Sequence, residues 1–217
     1  MIDGVIFDMD GLMFDTERIW ATLWRPALAT LGLPYKEGLD VAARGTAGDS
    51  MRAVLRQFYG PGCDTDAIME ALHAQAEIAF QAPPPKKPGL DELIAWLEAQ
   101  HIPMAVASSS RMASILRHLN NWNMTGHFKA VISGEQFTSS KPDPEIFLTA
   151  AKALGTAPSE TLVLEDSYNG VRAGARGGFV TVMVPDLSPA DDEMRRLYTA
   201  ECKDLHEVKQ MLETGRL

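Results

Sequence analysis

Val5-Ile6-Phe7-Asp8-Met9-Asp10-Gly11 decides the fold. The apolar run before Asp8 predicts a strand buried in a sheet, expected over residues 2–8, and Gly11 breaks it. Two carboxylates, Asp8 and Asp10, therefore stand near the strand's carboxyl end with one residue between them. In open α/β sheets ligands bind at that edge. One carboxylate can act as a nucleophile, and a second beside it can move protons. Such a pair also suits a hard cation with oxygen ligands, such as Mg²⁺. Taken alone, the same residues also fit a plain turn after a strand, because Asp and Gly favour turns.

Strand-like runs alternate with helical patterns through most of the chain. Residues 103–108, 130–133, 162–165 and 180–184 read as further strands. A helix is expected over 90–100, with Leu90, Leu93, Ile94 and Leu97 on one face. Another is expected over 112–119. A third begins at Asp143, with Pro144 in its first position, and ends at Gly155. Alternation of this kind predicts an α/β fold, a Rossmann-like doubly wound parallel sheet with helices on both faces.

From about residue 16 to 80 there is no strand signal. Trp20, Leu23, Trp24, Ala27, Leu28 and Leu31 step by three and four, and Gly32 closes that helix. Pro26 should kink it or remove one hydrogen bond. Helical patterns recur around Val54, Leu55 and Phe58, and around Ile68, Leu72 and Ala76. The chain thus divides into a core, residues 1–14 and 85–217, and an inserted α-helical unit, residues 15–84. The stiff stretch Pro83-Pro84-Pro85-Lys86-Lys87-Pro88-Gly89 leads back to the core. Two neighbouring crossings make a hinge, with the helices as a lid over the sheet edge.

The balance of charge over the 217 residues is −9, which argues against nucleic-acid binding by a broad basic face. A phosphate bound by such a chain needs local positive charge, from a metal or from a single Lys or Arg. Cys63 and Cys202 are the only cysteines and have no metal-ligand company. The five histidines are scattered without paired spacing, so zinc is not expected. No apolar run approaches the roughly 18 residues that mark a membrane span. Met1-Ile2-Asp3-Gly4 lacks the basic flank of a signal peptide, which points to the cytoplasm and away from membranes.

Three further features converge on the same sheet edge. Ala107-Ser108-Ser109-Ser110 ends the second strand, where a hydroxyl and backbone N–H groups can cradle a phosphate; Ser110 is expected nearer the helix cap. Lys141, held before Pro142-Asp143-Pro144-Glu145, can place a point charge on a phosphate oxygen. Glu165-Asp166-Ser167 follows the fourth strand and can supply the remaining metal ligands or cap the next helix. A doubly wound sheet brings Asp8, Asp10, Ser108, Lys141, Glu165 and Asp166 to one rim. Together they describe a Mg²⁺-dependent phosphoryl-transfer site.

The order Asp8-Met9-Asp10-Gly11, Ser108, Lys141-Pro142, Glu165-Asp166 resembles the four signature motifs of the haloacid dehalogenase superfamily. The resemblance covers essentially the whole chain, and the inserted helices resemble that superfamily's small α-helical cap. Phe14-Asp15-Thr16-Glu17 and Lys141-Pro142-Asp143-Pro144-Glu145-Ile146-Phe147 are similar to its β-phosphoglucomutase-like sugar-phosphatase branch. The stretches around Asp8 and Ser108 also look like the pseudouridine-5′-phosphatase branch. The resemblance implies that Asp8 attacks phosphorus, and that Asp10 protonates the leaving alcohol and later activates water. It implies Mg²⁺ bound by Asp8, the backbone carbonyl of Asp10, Asp166 and, through a water, Glu165. Ser108 and the amide of Ser109 would hold phosphate oxygens, with Lys141 neutralising their charge. The implied partner is a small phosphorylated metabolite, a sugar phosphate or nucleotide-like compound, and the implied state is a monomer.

Asp10 also argues against dehalogenation, whose enzymes carry no second Asp at that position. Phosphonate-cleaving relatives need a cap Lys, and residues 15–84 hold only Lys36, in an apparent surface turn. Phosphosugar mutases of this branch use a cap His where this chain has Trp20, and a cap base for a second phosphate. Here Arg44, the only base of the stretch 44–50, lies a few residues early. The cap carries six Lys or Arg against nine Asp or Glu. Hydrolysis of a phosphomonoester with a modest, partly apolar leaving group is the favoured reading. A mutase and a non-catalytic binding protein on the same scaffold remain as alternatives. Trp20 is the cap residue expected at the substrate, and Met13 and Phe14 are expected to face the leaving group.

Overall fold

A computed structural model describes residues 2–217. Six parallel strands form one sheet: β1 (Gly4–Phe7), β2 (Met104–Ser108), β3 (Ala130–Ser133), β4 (Thr161–Glu165), β5 (Val180–Met183) and β6 (Ala200–Glu201). Their order is β3-β2-β1-β4-β5-β6. The first five fall where the apolar runs predict them. β1 lies at the middle, between β2 and β4, so the direction of winding reverses beside it and a crevice opens at its carboxyl end.

Strands buried on both faces read as continuous apolar runs, because both alternating sets of side chains need cover. Val5 and Phe7 face one side, with Val106, Leu162 and Leu164, under α5 (Leu90–Ala99), α6 (Met112–Asn121) and α10 (Leu205–Glu213). Ile6, Ala105, Ala107 and Val163 face the other, under α7 (Glu145–Leu154) and α8 (Tyr168–Arg176). Each fully buried Leu, Ile or Phe of these layers contributes roughly 1.5–3 kcal/mol. Pro144 stands one place outside the first turn of α7, and Gly155 ends that helix in the left-handed conformation at φ 82°.

Four helices follow β1: α1 (Glu17–Thr30), α2 (Leu39–Ala43), α3 (Gly48–Tyr59) and α4 (Thr65–Ala79). They share a hydrophobic cluster of their own, built on Trp24, Leu28, Leu39, Leu55, Ile68 and Leu72. α1 runs on through Pro26 without interruption. The two crossings between helices and sheet lie side by side and are hydrogen-bonded. Asp15 N–H donates to the Pro85 carbonyl, and Lys87 N–H to that of Met13, both at 2.8 Å. A short α9 (Met194–Leu197) precedes β6. Among the described residues no helix is long and apolar enough to cross a membrane.

Candidate active site

The loop after β1 carries the first two carboxylates. Asp8 N–H donates to the Leu164 carbonyl at 3.0 Å, which fixes the loop to β4. The chain then turns back on itself, with Gly11 at φ 82°. A side chain at Gly11 would begin 2.2 Å from Asp166 Oδ2, so only glycine lets the loop approach Asp166.

Lys141 is the hub of the site. Its Nζ lies 2.6 Å from Asp8 Oδ1, 2.6 Å from Glu165 Oε1 and 3.2 Å from the Ala107 carbonyl. Lys141, Asp8 and Asp166 are all under a tenth exposed, and Glu165 is fully buried. Burial works against the Lys141 charge, but Asp8 and Glu165 outweigh it and hold its pKa above the ordinary ammonium value. Burial pushes the Asp8 carboxyl well up; Lys141 opposes this, while Glu165 and Asp10 add to it. Asp166 is also pushed well up, by burial first and then by Glu165 and Asp8.

Three carboxylates, Asp8, Glu165 and Asp166, bring one oxygen each within 4.8 Å of one another. One lysine does not balance three buried acids, and the donors are all oxygen. That set fits a hard divalent cation. The three acids are not equivalent. Glu165 spends Oε1 on Lys141, and Oε2 on the N–H groups of Asp166 and Ser167 and the Ser167 hydroxyl. It lies close beneath Gly170, where any side chain would overlap it at 1.8 Å. The Asp166 carboxylate is hydrogen-bonded to none of the described residues, and Asp8 uses only Oδ1. Those two acids have oxygens to offer a cation, whereas Glu165 is anchored.

Asp10 faces the serines. Ser110 Oγ donates to Asp10 Oδ2 at 2.7 Å, and Ser108 Oγ lies 3.3 Å from the same atom. Ser110 thus differs from expectation: it does not cap α6. The first N–H of that helix is satisfied by Glu135, at 2.8 Å. Ser167, as expected, caps α8 by accepting from Gly170 N–H.

Above this edge lies a cavity of about 480 Å³, closed on the far side by α1 to α4. Asp8, Asp10, Ser108, Ser109, Lys141 and Asp166 form its floor. Trp20 lines the wall, half-buried, edge-on to His73 at 6.1 Å between ring centres. Trp24 reaches the same wall from the core of the helical unit. Met13 and Phe14 are corrections. Both are fully buried, pack in the core under the sheet and do not line the cavity. The hinge pairing turns them inward, with Phe14 bridged to Lys86. Lys36 is exposed, hydrogen-bonds the Phe58 carbonyl and is also absent from the wall.

The stretch 44–50 rests on the rim of the core. Arg44 donates to the Leu187 carbonyl and Ser188 Oγ, Asn169 donates to the Gly45 carbonyl, and Ser140 Oγ donates to that of Ala47. Sequence reasoning missed Glu17, whose carboxyl enters the cavity and is pushed up to about 7 by burial and Asp10, with Arg44 opposing. It also missed Asp186, a buried acid whose Oδ1 accepts from Lys87 and Arg18 at the hinge. No local pattern marks Asp186; Glu17 falls within the stretch Phe14-Asp15-Thr16-Glu17.

The family model described as haloacid dehalogenase-like hydrolase matches residues 5–184. The chain is 30% identical over 218 residues to the β-phosphoglucomutase of Bacillus subtilis, covering 94% of each protein. It is 30% identical over 187 residues to the probable pseudouridine-5′-phosphatase of Drosophila melanogaster, covering 83% of this chain and 80% of that one. A hydrolase from Pseudomonas syringae has the same fold, with a TM-score of 0.86 at 21% identity over 98% of both chains. The matched span runs from β1 to just past β5 and takes in every charged residue of the cavity floor, so sequence and geometry agree: the chain is an enzyme of the haloacid dehalogenase-like hydrolase family.

Proposed function

We propose that the protein is a Mg²⁺-dependent phosphomonoester hydrolase that works through an aspartyl-phosphate on Asp8. One observation carries the reading: the Lys141–Asp8–Glu165 contacts and the open Asp166 carboxylate share a buried floor beneath the cavity. Asp8, Asp166 and the backbone carbonyl of Asp10 would hold Mg²⁺, which offsets the repulsion between a carboxylate nucleophile and a phosphate.

An Asp8 oxygen forms a bond to phosphorus while the bond from phosphorus to the leaving oxygen breaks. Asp10 gives its proton to that oxygen. Asp10 then takes a proton from water, whose oxygen bonds to phosphorus as the Asp8–phosphorus bond breaks. Asp8 returns as a carboxylate, and inorganic phosphate leaves. Ser108 Oγ, the Ser109 N–H and Lys141 hold the phosphate oxygens where charge develops. The Ser110 hydroxyl keeps Asp10 near the reacting atoms.

Residues 15–84 act as a cap hinged at the paired crossings, and closure keeps bulk water from the intermediate. The substrate is a small phosphorylated metabolite, a sugar phosphate or nucleotide-like compound, and the protein works as a cytoplasmic monomer. Two features support hydrolysis over a mutase. Trp20 brings no proton-transfer group to the wall, and Arg44 is engaged with Leu187 and Ser188.

The test is phosphate release from a panel of sugar phosphates and nucleotides, with Mg²⁺ and with EDTA. Mg²⁺-dependent release is expected; no release from any member in either condition would sink the reading. Asp10→Asn should lower kcat about 10²–10⁴-fold, as loss of a general acid–base does. Ser108→Ala should cost less, about tenfold, as loss of one hydrogen bond does. The reverse ranking would remove Asp10 from proton transfer.

A further inference from the structure

Glu17 opens α1, the first helix beyond the hinge, and its carboxyl group enters the cavity. Its Cγ lies 3.2 Å from the point where a side chain on Gly11 would begin, so it overhangs the loop that carries Asp10. Asp166 beside it is likewise without a hydrogen bond but is placed for the cation, whereas Asp10 is held by Ser110, Glu165 by Ser167 and Lys141, and Asp186 through one oxygen by Lys87. No described residue donates a hydrogen bond to Glu17 or forms an ion pair with it. Half-buried in the cavity wall, its carboxyl group is open to a donor that enters the site.

The cations on the cap side of the wall are engaged elsewhere. Arg44 donates to Leu187 and Ser188, and Arg52 pairs with Asp66 and Asp49. Asp40 and Asp49 add negative charge to the same wall. The one Arg of the cavity without such a partner, Arg111, is exposed and belongs to the core side. The part of the cavity nearest the reacting loop therefore offers an acceptor and no free cation.

We propose that Glu17 is a specificity-determining residue. It accepts a hydrogen bond from a hydroxyl of the leaving group close to the ester oxygen, and it repels leaving groups that carry an acid there. The inference rests on the phosphomonoester reading above. A placed acceptor favours the ligand that donates to it, and a carboxylate adds like-charge repulsion against the wrong one. Trp20, three residues on and so on the same helix face, supplies an apolar surface for the C–H side of such a leaving group.

The probes are glycerol 3-phosphate, whose leaving group offers neutral hydroxyls, and 2-phosphoglycolate, whose leaving group carries a carboxylate. Their kcat/KM ratio is measured at saturating Mg²⁺ in mildly alkaline buffer for the wild type, Glu17→Gln and Glu17→Ala. The wild type should favour glycerol 3-phosphate. Glu17→Gln keeps an acceptor and removes the charge, so 2-phosphoglycolate should gain about tenfold on its competitor. Glu17→Ala should also lower kcat/KM for glycerol 3-phosphate, because the acceptor is gone. Where turnover is slow, binding of both probes to Asp8→Asn protein, followed by tryptophan fluorescence, reads the same ratio. A ratio unchanged in both variants overturns the proposal. So does an unchanged ratio with a raised Mg²⁺ requirement, which would assign Glu17 to the cation instead. Mg²⁺-dependent release from p-nitrophenyl phosphate, whose leaving group offers no such hydroxyl, separates the two levels. Its presence with an unchanged ratio removes Glu17 alone; absence of release from this and every other phosphomonoester removes the underlying reading.

Discussion

Asp8→Asn is expected to abolish turnover, by at least about 10⁴-fold, while the protein stays folded. An amide of the same shape keeps a carbonyl oxygen for Lys141 to donate to, but it cannot attack phosphorus. Its effect on stability has a sign. Burial holds the Asp8 carboxyl well above its ordinary pKa, so ionising it costs more in the folded protein than in the unfolded chain. The thermal midpoint of Asp8→Asn, measured without Mg²⁺, should therefore be no lower than that of the wild type. Substantial remaining activity would take the nucleophile's role from Asp8. A collapsed midpoint would contradict the electrostatic reading of the floor.

Lys141→Met should damage both stability and catalysis. The substitution leaves two acids, Asp8 and Glu165, buried without their cation. Breaking such a pair from one side costs about 3–5 kcal/mol. Activity should fall about 10³-fold, because the charge that faces the phosphate oxygens is lost. The stability deficit should depend on pH. With Lys141 gone, burial raises the folded pKa of Asp8 further, so the folded state binds its proton more tightly than the unfolded chain does. That contribution is present in full below about pH 4, the unfolded carboxyl range, and is lost as the pH rises through the raised folded value. Denaturation midpoints of wild type and variant should therefore lie closest in acid and separate as the pH rises. A gap that narrows toward alkaline pH would mean that Lys141 is not what balances these acids.

The parts of the fold that were legible share a physical cause. The strands from β1 to β5 are buried on two faces, so each writes an apolar run into the sequence. β6 has two residues and α2 and α9 five and four, too few to carry a period. α10 was missed although Leu205, Val208, Met211 and Leu212 lie at helical spacing along it. The floor of the site was legible because each of its residues follows a strand. Contacts made at long range were not. Ser110 reaches Asp10 across 100 residues, and no local pattern distinguishes that hydroxyl from a helix cap. Met13 and Phe14 misled for the same reason. They stand three to four residues past Asp10, yet pairing of the two crossings turns their side chains into the core.

The most direct measurement is to mix enzyme, Mg²⁺ and a hydrolysable phosphomonoester, quench in acid within the first turnovers, and map the protein by mass spectrometry. The expected result is one phosphoryl group on Asp8, labile to hydroxylamine as an acyl phosphate is, and absent from Asp8→Asn. Steady phosphate release with no phosphorylated Asp8 at any quench time, and continuing in Asp8→Asn, would contradict it.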